Sequence, residues 1–113
     1  HLVPLNRGLF TTASVPLVQA AATRELLACY REFYAGEPFV RVLPEGMLPA
    51  TRAVVGSNFC DVAVIAAPRT RRAVCLSAID NLGKGGAANG VQNLNLISGW
   101  DERTGLDAPP VYP

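Results

Sequence analysis

The chain has 113 residues, half of them hydrophobic and 17% charged, with a net charge of +1. That is one domain's worth of sequence with enough apolar material for a core, and it argues against disorder. The near-neutral charge gives no electrostatic case for nucleic acid, and no apolar run approaches the roughly 18–20 residues that span a bilayer.

No secretory signal is visible, so a cytoplasmic protein is expected. The first residue is His1, not Met, which reads as a processed chain or a piece of a longer one.

In chain order, residues 1–7 carry polar groups around one proline, and Gly8–Leu17 is rich in β-branched and apolar residues. That pattern predicts a strand with Pro16 near its end. Leu26, Leu27, Tyr30, Phe33 and Tyr34 recur at helical spacing and predict a helix over Ala20–Ala35, stopped by Gly36. Phe39–Leu43 alternates as a short strand, Pro44–Ala50 is a Pro/Gly connection, and Thr51–Val55 reads as a further strand closed by the Gly56-Ser57-Asn58 turn. Cys60–Ala66 and Ala73–Ile79 predict two strands joined by a solvated hairpin tip over Pro68–Arg72. A glycine-rich turn follows, then a helix from about Gly86 to Ser98 with Val91, Leu94, Leu96 and Ile97 on its apolar face. The tail after Gly99 holds prolines and glycines and reads as irregular surface chain, with Trp100 as a packing anchor. Runs of strands with few helices favour an α+β fold with a mixed, largely antiparallel sheet and two main helices, in a single unit over 1–113.

The segment Asp80–Asn95, DNLGKGGAANGVQNLN, carries the most chemical information. A strand passing through glycines into a helix start gathers backbone N–H groups and a positive dipole end, an arrangement suited to phosphate or another anion. GKGGAA formally fits the dinucleotide fingerprint, but the helix is followed by no second parallel strand, and Asp101, near the right distance for the ribose acid, has no strand to sit on. A phosphate loop of the G-K-[ST] type is absent.

His1 is the only imidazole, and its ordinary pKa of about 6.5 suits acid/base work near neutrality. Arg7, between Asn6 and Gly8, is either a clamp for a carboxylate or phosphate or a solvated surface cation. Cys29, Cys60 and Cys75 form no CxxC pair, so buried free thiols are expected and a metal site is not.

Several blocks, in order, resemble the N-acetyl-gamma-glutamyl-phosphate reductase family. HLVPLNRG at His1–Gly8 resembles that family's H-L-x-P-M-x-R-G segment. EPFVRVLPEGMLPATRAVVGSNFCDVAV at Glu37–Val64 resembles its P-F-[VI]-x-[VL]-x-P and G-S-N segments, and SAIDNLGKGGAANGVQNLNLISGW at Ser77–Trp100 resembles its closing D-N-L-V-K-G-A block. The resemblance runs essentially end to end.

It implies the C-terminal, glyceraldehyde-3-phosphate-dehydrogenase-like domain of an NADP-dependent enzyme. Residues 1–113 would be the substrate and subunit-association part, with an NADP-binding Rossmann domain upstream and absent from this chain. The reaction implied is reduction of N-acetyl-glutamyl 5-phosphate to the 5-semialdehyde in arginine biosynthesis, through a cysteine thioester, by a homo-oligomeric enzyme. His1 falls on the family's general acid/base, Asn81 on the asparagine that faces the nicotinamide carboxamide, and Arg7 on an arginine near substrate and phosphate.

The sequence departs from the family in two respects. The G-C-Y-x-T-type nucleophile motif does not occur here, and Gly83 and Gly86 stand where valine and alanine are usual. Extra glycine should loosen the turn and lower helix propensity by roughly 1 kcal/mol per site. Two alternatives stay open: a related aspartate-semialdehyde or lysine-pathway acyl-phosphate reductase, or a non-catalytic association module.

Overall fold

The computed structural model describes residues 4–111. Strand β1 spans Leu9–Pro16, β2 Val40–Val42, β3 Cys60–Ala67 and β4 Arg72–Ile79; helix α1 spans Thr23–Phe33 and α2 Ala88–Ile97. The four strands form one sheet in the order β1-β4-β3-β2. β1–β4 and β4–β3 run antiparallel and β2–β3 parallel, so the sheet is mixed and largely antiparallel, as the strand-rich pattern predicts. Among the described residues, no helix is long and apolar enough to cross a membrane.

β3 is apolar almost throughout because it is central, with Asp61, Val62, Ala63 and Val64 all buried. α1 lays Leu27 against Val64 and Ala73, with Leu26, Tyr30 and Val42 around them. The helix starts later than its periodicity suggests. Ala22 is still extended, and the Glu25 carboxylate accepts the Ala22 N–H at 2.6 Å, fixing the first turn there. Thr23 Oγ1 then accepts the Ala66 N–H at 3.0 Å, pinning the helix start to β3. Gly36, at φ +90°, turns the chain away as its position implies.

Three local expectations are corrected. Thr51–Val55 is not a strand: Thr51–Ala53 is a 3₁₀ turn, closed by Ala53 N–H to Ala50 O at 3.0 Å and Val54 N–H to Thr51 O at 3.1 Å. Its Ala53 carbonyl accepts Arg41 Nη2 at 3.0 Å, while Arg41 grips buried Asp61 through Nε and Nη2 at 2.6 and 3.0 Å. That tertiary anchor outweighs the β-propensity of the segment.

Arg72 is not part of the solvated hairpin tip. It opens β4 and donates to Ser14 Oγ and Ser14 O, both at 2.8 Å, across the sheet. The tip itself is the 3₁₀ turn Pro68–Thr70 with Arg71 left-handed.

The third correction concerns α2, which buries its polar side and exposes its apolar one. Gln92 and Asn95 are buried, whereas Val91, Leu94, Leu96 and Ile97 are 41, 53, 53 and 86% exposed. Asn95 Nδ2 holds the carbonyls of Glu102 and Thr104 at 3.2 and 2.9 Å, and Gln92 Oε1 accepts Asn58 Nδ2 at 2.9 Å as well as Lys84 Nζ. Trp100, expected as a packing anchor, is 59% exposed; buried Leu106 and the Val111 N–H to Val55 O bond at 2.8 Å hold the tail.

Candidate functional site

The glycine turn starts where β4 ends. Gly83–Ala87 is a single π-helical turn, with Gly85 N–H bonded to Asp80 O at 2.8 Å and Ala87 N–H to Leu82 O at 3.1 Å. Gly83 does not loosen this turn but permits it. A Cβ there would lie 2.6 Å from the Ser57 carbonyl oxygen, so only glycine lets the turn approach the 57–58 segment.

The turn's amides do meet an anion, but it is the protein's own. Asp80 is fully buried, and its Oδ1 accepts the Leu82 and Gly83 N–H groups at 2.9 and 3.2 Å. Its Oδ2 accepts the Gly56 N–H at 2.6 Å. Arg7 completes the set, with Nε on Oδ1 at 2.8 Å and Nη2 on Oδ2 at 2.7 Å, a fork-to-fork pair. Burial alone would raise the Asp80 pKa. The Arg7 bond and the amides of Gly56, Leu82 and Gly83 outweigh it and hold the carboxyl well below the usual carboxylate range. Asp80 therefore takes the Leu82 and Gly83 amides that the sequence offered to a phosphate or another anion.

Arg7 and Asn81, singled out from the sequence, are brought together here. Asn81 Oδ1 accepts the Gly8 N–H at 2.6 Å, next to the Arg7–Asp80 pair. The Asn81 Nδ2 amide and Arg7 Nη1 have no protein partner among the described residues, and the Arg7 side chain is 39% exposed. His1 lies outside the described residues.

Asp80 is the residue that sequence reasoning passed over. The available signal was an acid directly between a buried strand and a glycine turn, since a carboxylate so placed must find partners.

Of the thiols, Cys60 on β3 stands opposite Ile79 of β4, one residue from Asp80 along the chain. Cys29 is exposed on α1, contrary to the expectation that all three are buried, and Cys60 and Cys75 are half-buried. Burial first, and then the Asp61 charge, push the Cys60 thiol up, with Lys84 opposing them. It therefore stays protonated near neutrality and is no ready nucleophile. Two clefts of about 240 and 190 Å³ lie beside α1, one between Leu27 and Met47 and one between Tyr30 and Ser77, away from Arg7 and Asn81.

Comparison with known proteins gives a consistent picture. Residues 1–81 match the semialdehyde dehydrogenase dimerisation domain. The whole chain is 53% identical to N-acetyl-gamma-glutamyl-phosphate reductase of Symbiobacterium thermophilum and covers 33% of that protein. It is 54% identical to the enzyme of the same name from Desulforudis audaxviator, again covering 33%. The chain thus spans about a third of the length of the curated relatives it matches. The fold is shared with aspartate semialdehyde dehydrogenase II of Vibrio cholerae, solved in complex with ASA. The TM-score is 0.67 at 18% identity, covering 85% of this chain and 28% of that one.

Proposed function

The chain belongs to the semialdehyde dehydrogenase family through its dimerisation domain, and from that premise we propose that it is the C-terminal part of a cytoplasmic, homo-oligomeric, NADP-dependent N-acetyl-gamma-glutamyl-phosphate reductase. The reaction is N-acetyl-glutamyl 5-phosphate plus NADPH and a proton giving the 5-semialdehyde, NADP and phosphate, a step of arginine biosynthesis. The observation that carries this reading is the identity of about one residue in two with reductases of that name over the full chain.

The roles follow from the residues. NADPH supplies the hydride. Asn81 suits the carboxamide end of that cofactor: with Oδ1 fixed on Gly8, its Nδ2 is left to donate to a carbonyl oxygen. The amides of Leu82 and Gly83 are spent on Asp80, so the main phosphate contacts of the cofactor fall to the nucleotide-binding part of the longer protein. Arg7 offers Nη1 to the anionic group of the substrate while Asp80 holds its other edge. His1 serves as general acid/base, protonating the developing alkoxide and accepting the thiol proton. The raised Cys60 pKa supports placing the nucleophilic thiolate outside these 113 residues.

The test is the full-length chain assayed for phosphate-dependent NADP reduction with N-acetyl-glutamate semialdehyde, beside aspartate semialdehyde. Turnover with the acetylated substrate and little with the other is expected; the reverse preference, or no turnover, overturns the reading. His1→Ala should lower kcat by roughly 10²–10⁴-fold at unchanged thermal midpoint. A folded variant within about threefold of the parent removes His1 from the chemistry.

A further inference from the structure

The ladder between β1 and β4 ends at the pair Leu9↔Ile79. The next residues outward are Gly8 and Arg7 on one strand, and Asp80 and Asn81 on the other. Side chains take over the pairing there. Asp80 grips Arg7 through both carboxylate oxygens at 2.8 and 2.7 Å, and Asn81 Oδ1 takes the Gly8 N–H at 2.6 Å.

Two adjacent dipeptides are thus laced to each other. The Asp80 carboxylate also ties in Gly56, Leu82 and Gly83, so five donor contacts converge on one fully buried group. A local turn needs one or two such bonds from an Asp; the other donors come from residues distant in sequence.

The geometry decides which ends of two side chains face outward. Arg7 has spent Nε and Nη2, which leaves Nη1. Asn81 has spent Oδ1, which leaves Nδ2. We propose that Asp80 is a positioning residue that orients both ligand-facing groups at once, Arg7 Nη1 toward the substrate's anionic group and Asn81 Nδ2 toward the cofactor's carboxamide. This rests on the reductase reading above. It adds that the two binding functions share one part, so that damage to the Arg7–Asp80 fork is felt at the cofactor and not at the substrate alone.

The experiment uses the full-length protein with Arg7→Lys. This substitution keeps the positive charge but removes the planar fork, and it changes a partly exposed side chain. Three quantities are read: KM for the acyl phosphate, Kd for NADPH by fluorescence titration, and hydrogen exchange at the Gly8, Leu82 and Gly83 amides. The expected result is a rise of about tenfold in both KM and Kd, the scale of one charge-assisted hydrogen bond lost. Exchange at the three amides should accelerate while the thermal midpoint stays within a few degrees.

A Kd for NADPH within twofold of the parent, with only KM raised, overturns the proposal, because Arg7 then serves the substrate alone. Unchanged exchange at all three amides overturns it as well. If the parent protein turns over no acetylated substrate, the reductase reading falls instead, and the NADPH titration and the exchange data still judge the clasp.

Discussion

Asp80 shows how a single side chain converts sequence neighbours into an organised site. Its folded pKa is depressed, so its contribution to stability is fully present above the unfolded value of about 3.9 and is lost as pH falls below that value toward the folded one. The urea midpoint of the protein should therefore hold from pH 7 to about pH 4 and then decline. Asp80→Asn should be less stable than the parent at pH 7, with the gap narrowing at pH 3. Parallel curves at both pH values would show that the carboxylate is not ionised and paired in the folded state.

The glycines of the same turn differ from one another at this scale. Gly83→Ala drives a Cβ against the Ser57 carbonyl, whereas Gly90 has open space around its Cβ position inside α2. Gly83→Ala should lower the thermal midpoint, and Gly90→Ala should raise stability by up to about 1 kcal/mol. Denaturant titration of the two variants side by side distinguishes them.

At the scale of the element, α2 is the part whose orientation its sequence does not announce. Its outer face carries Val91, Leu94, Leu96 and Ile97, while Gln92 and Asn95 hold polar partners beneath it. Packing the leucines inward would leave the Asn58 amide and the Glu102 and Thr104 carbonyls without those bonds, and unpaired buried polar groups cost about 1–3 kcal/mol each. Leu94→Lys together with Ile97→Lys should consequently leave the far-ultraviolet circular dichroism and thermal midpoint of the 113-residue chain nearly unchanged and reduce its tendency to associate, read by light scattering. A collapse of the midpoint would mean that these side chains are core. α1 is the opposite case, with its periodicity and its burial in agreement around Leu27.

For the molecule as a whole, the sheet holds Arg7 and Asn81 at one end, and nothing among the described residues supplies an activated thiol beside them. The 113 residues by themselves should show no reductase turnover in the phosphate-dependent assay. Clear turnover by the purified 113-residue chain would contradict the division of labour proposed for the longer protein. β1, with Phe10 its only half-buried residue, and the apolar face of α2 leave ample surface for association, which supports the homo-oligomer reading alongside the match to a dimerisation domain.

What the chain's sequence determined by itself is the set of local, periodic features. The apolar runs at Cys60–Ala66 and Ala73–Ile79 read as strands from their length and β-branching, as they are in the structure to within a residue at one end, and the mixed α+β class followed from the run of strands. The ordered blocks at His1–Gly8, Glu37–Val64 and Ser77–Trp100 likewise carried the family. Tertiary structure alone decided the rest. Whether Thr51–Ala53 coils or extends depends on Arg41, ten residues earlier, and on Asp61 beyond it. Which face α2 buries depends on carbonyls in the tail and on Asn58. The Leu82 and Gly83 amides take up an aspartate that Arg7, 73 residues away, arrives to neutralise. In each case the deciding partner is distant in sequence, and hydrogen bonds and charges between distant residues leave no periodic trace in the chain that makes them.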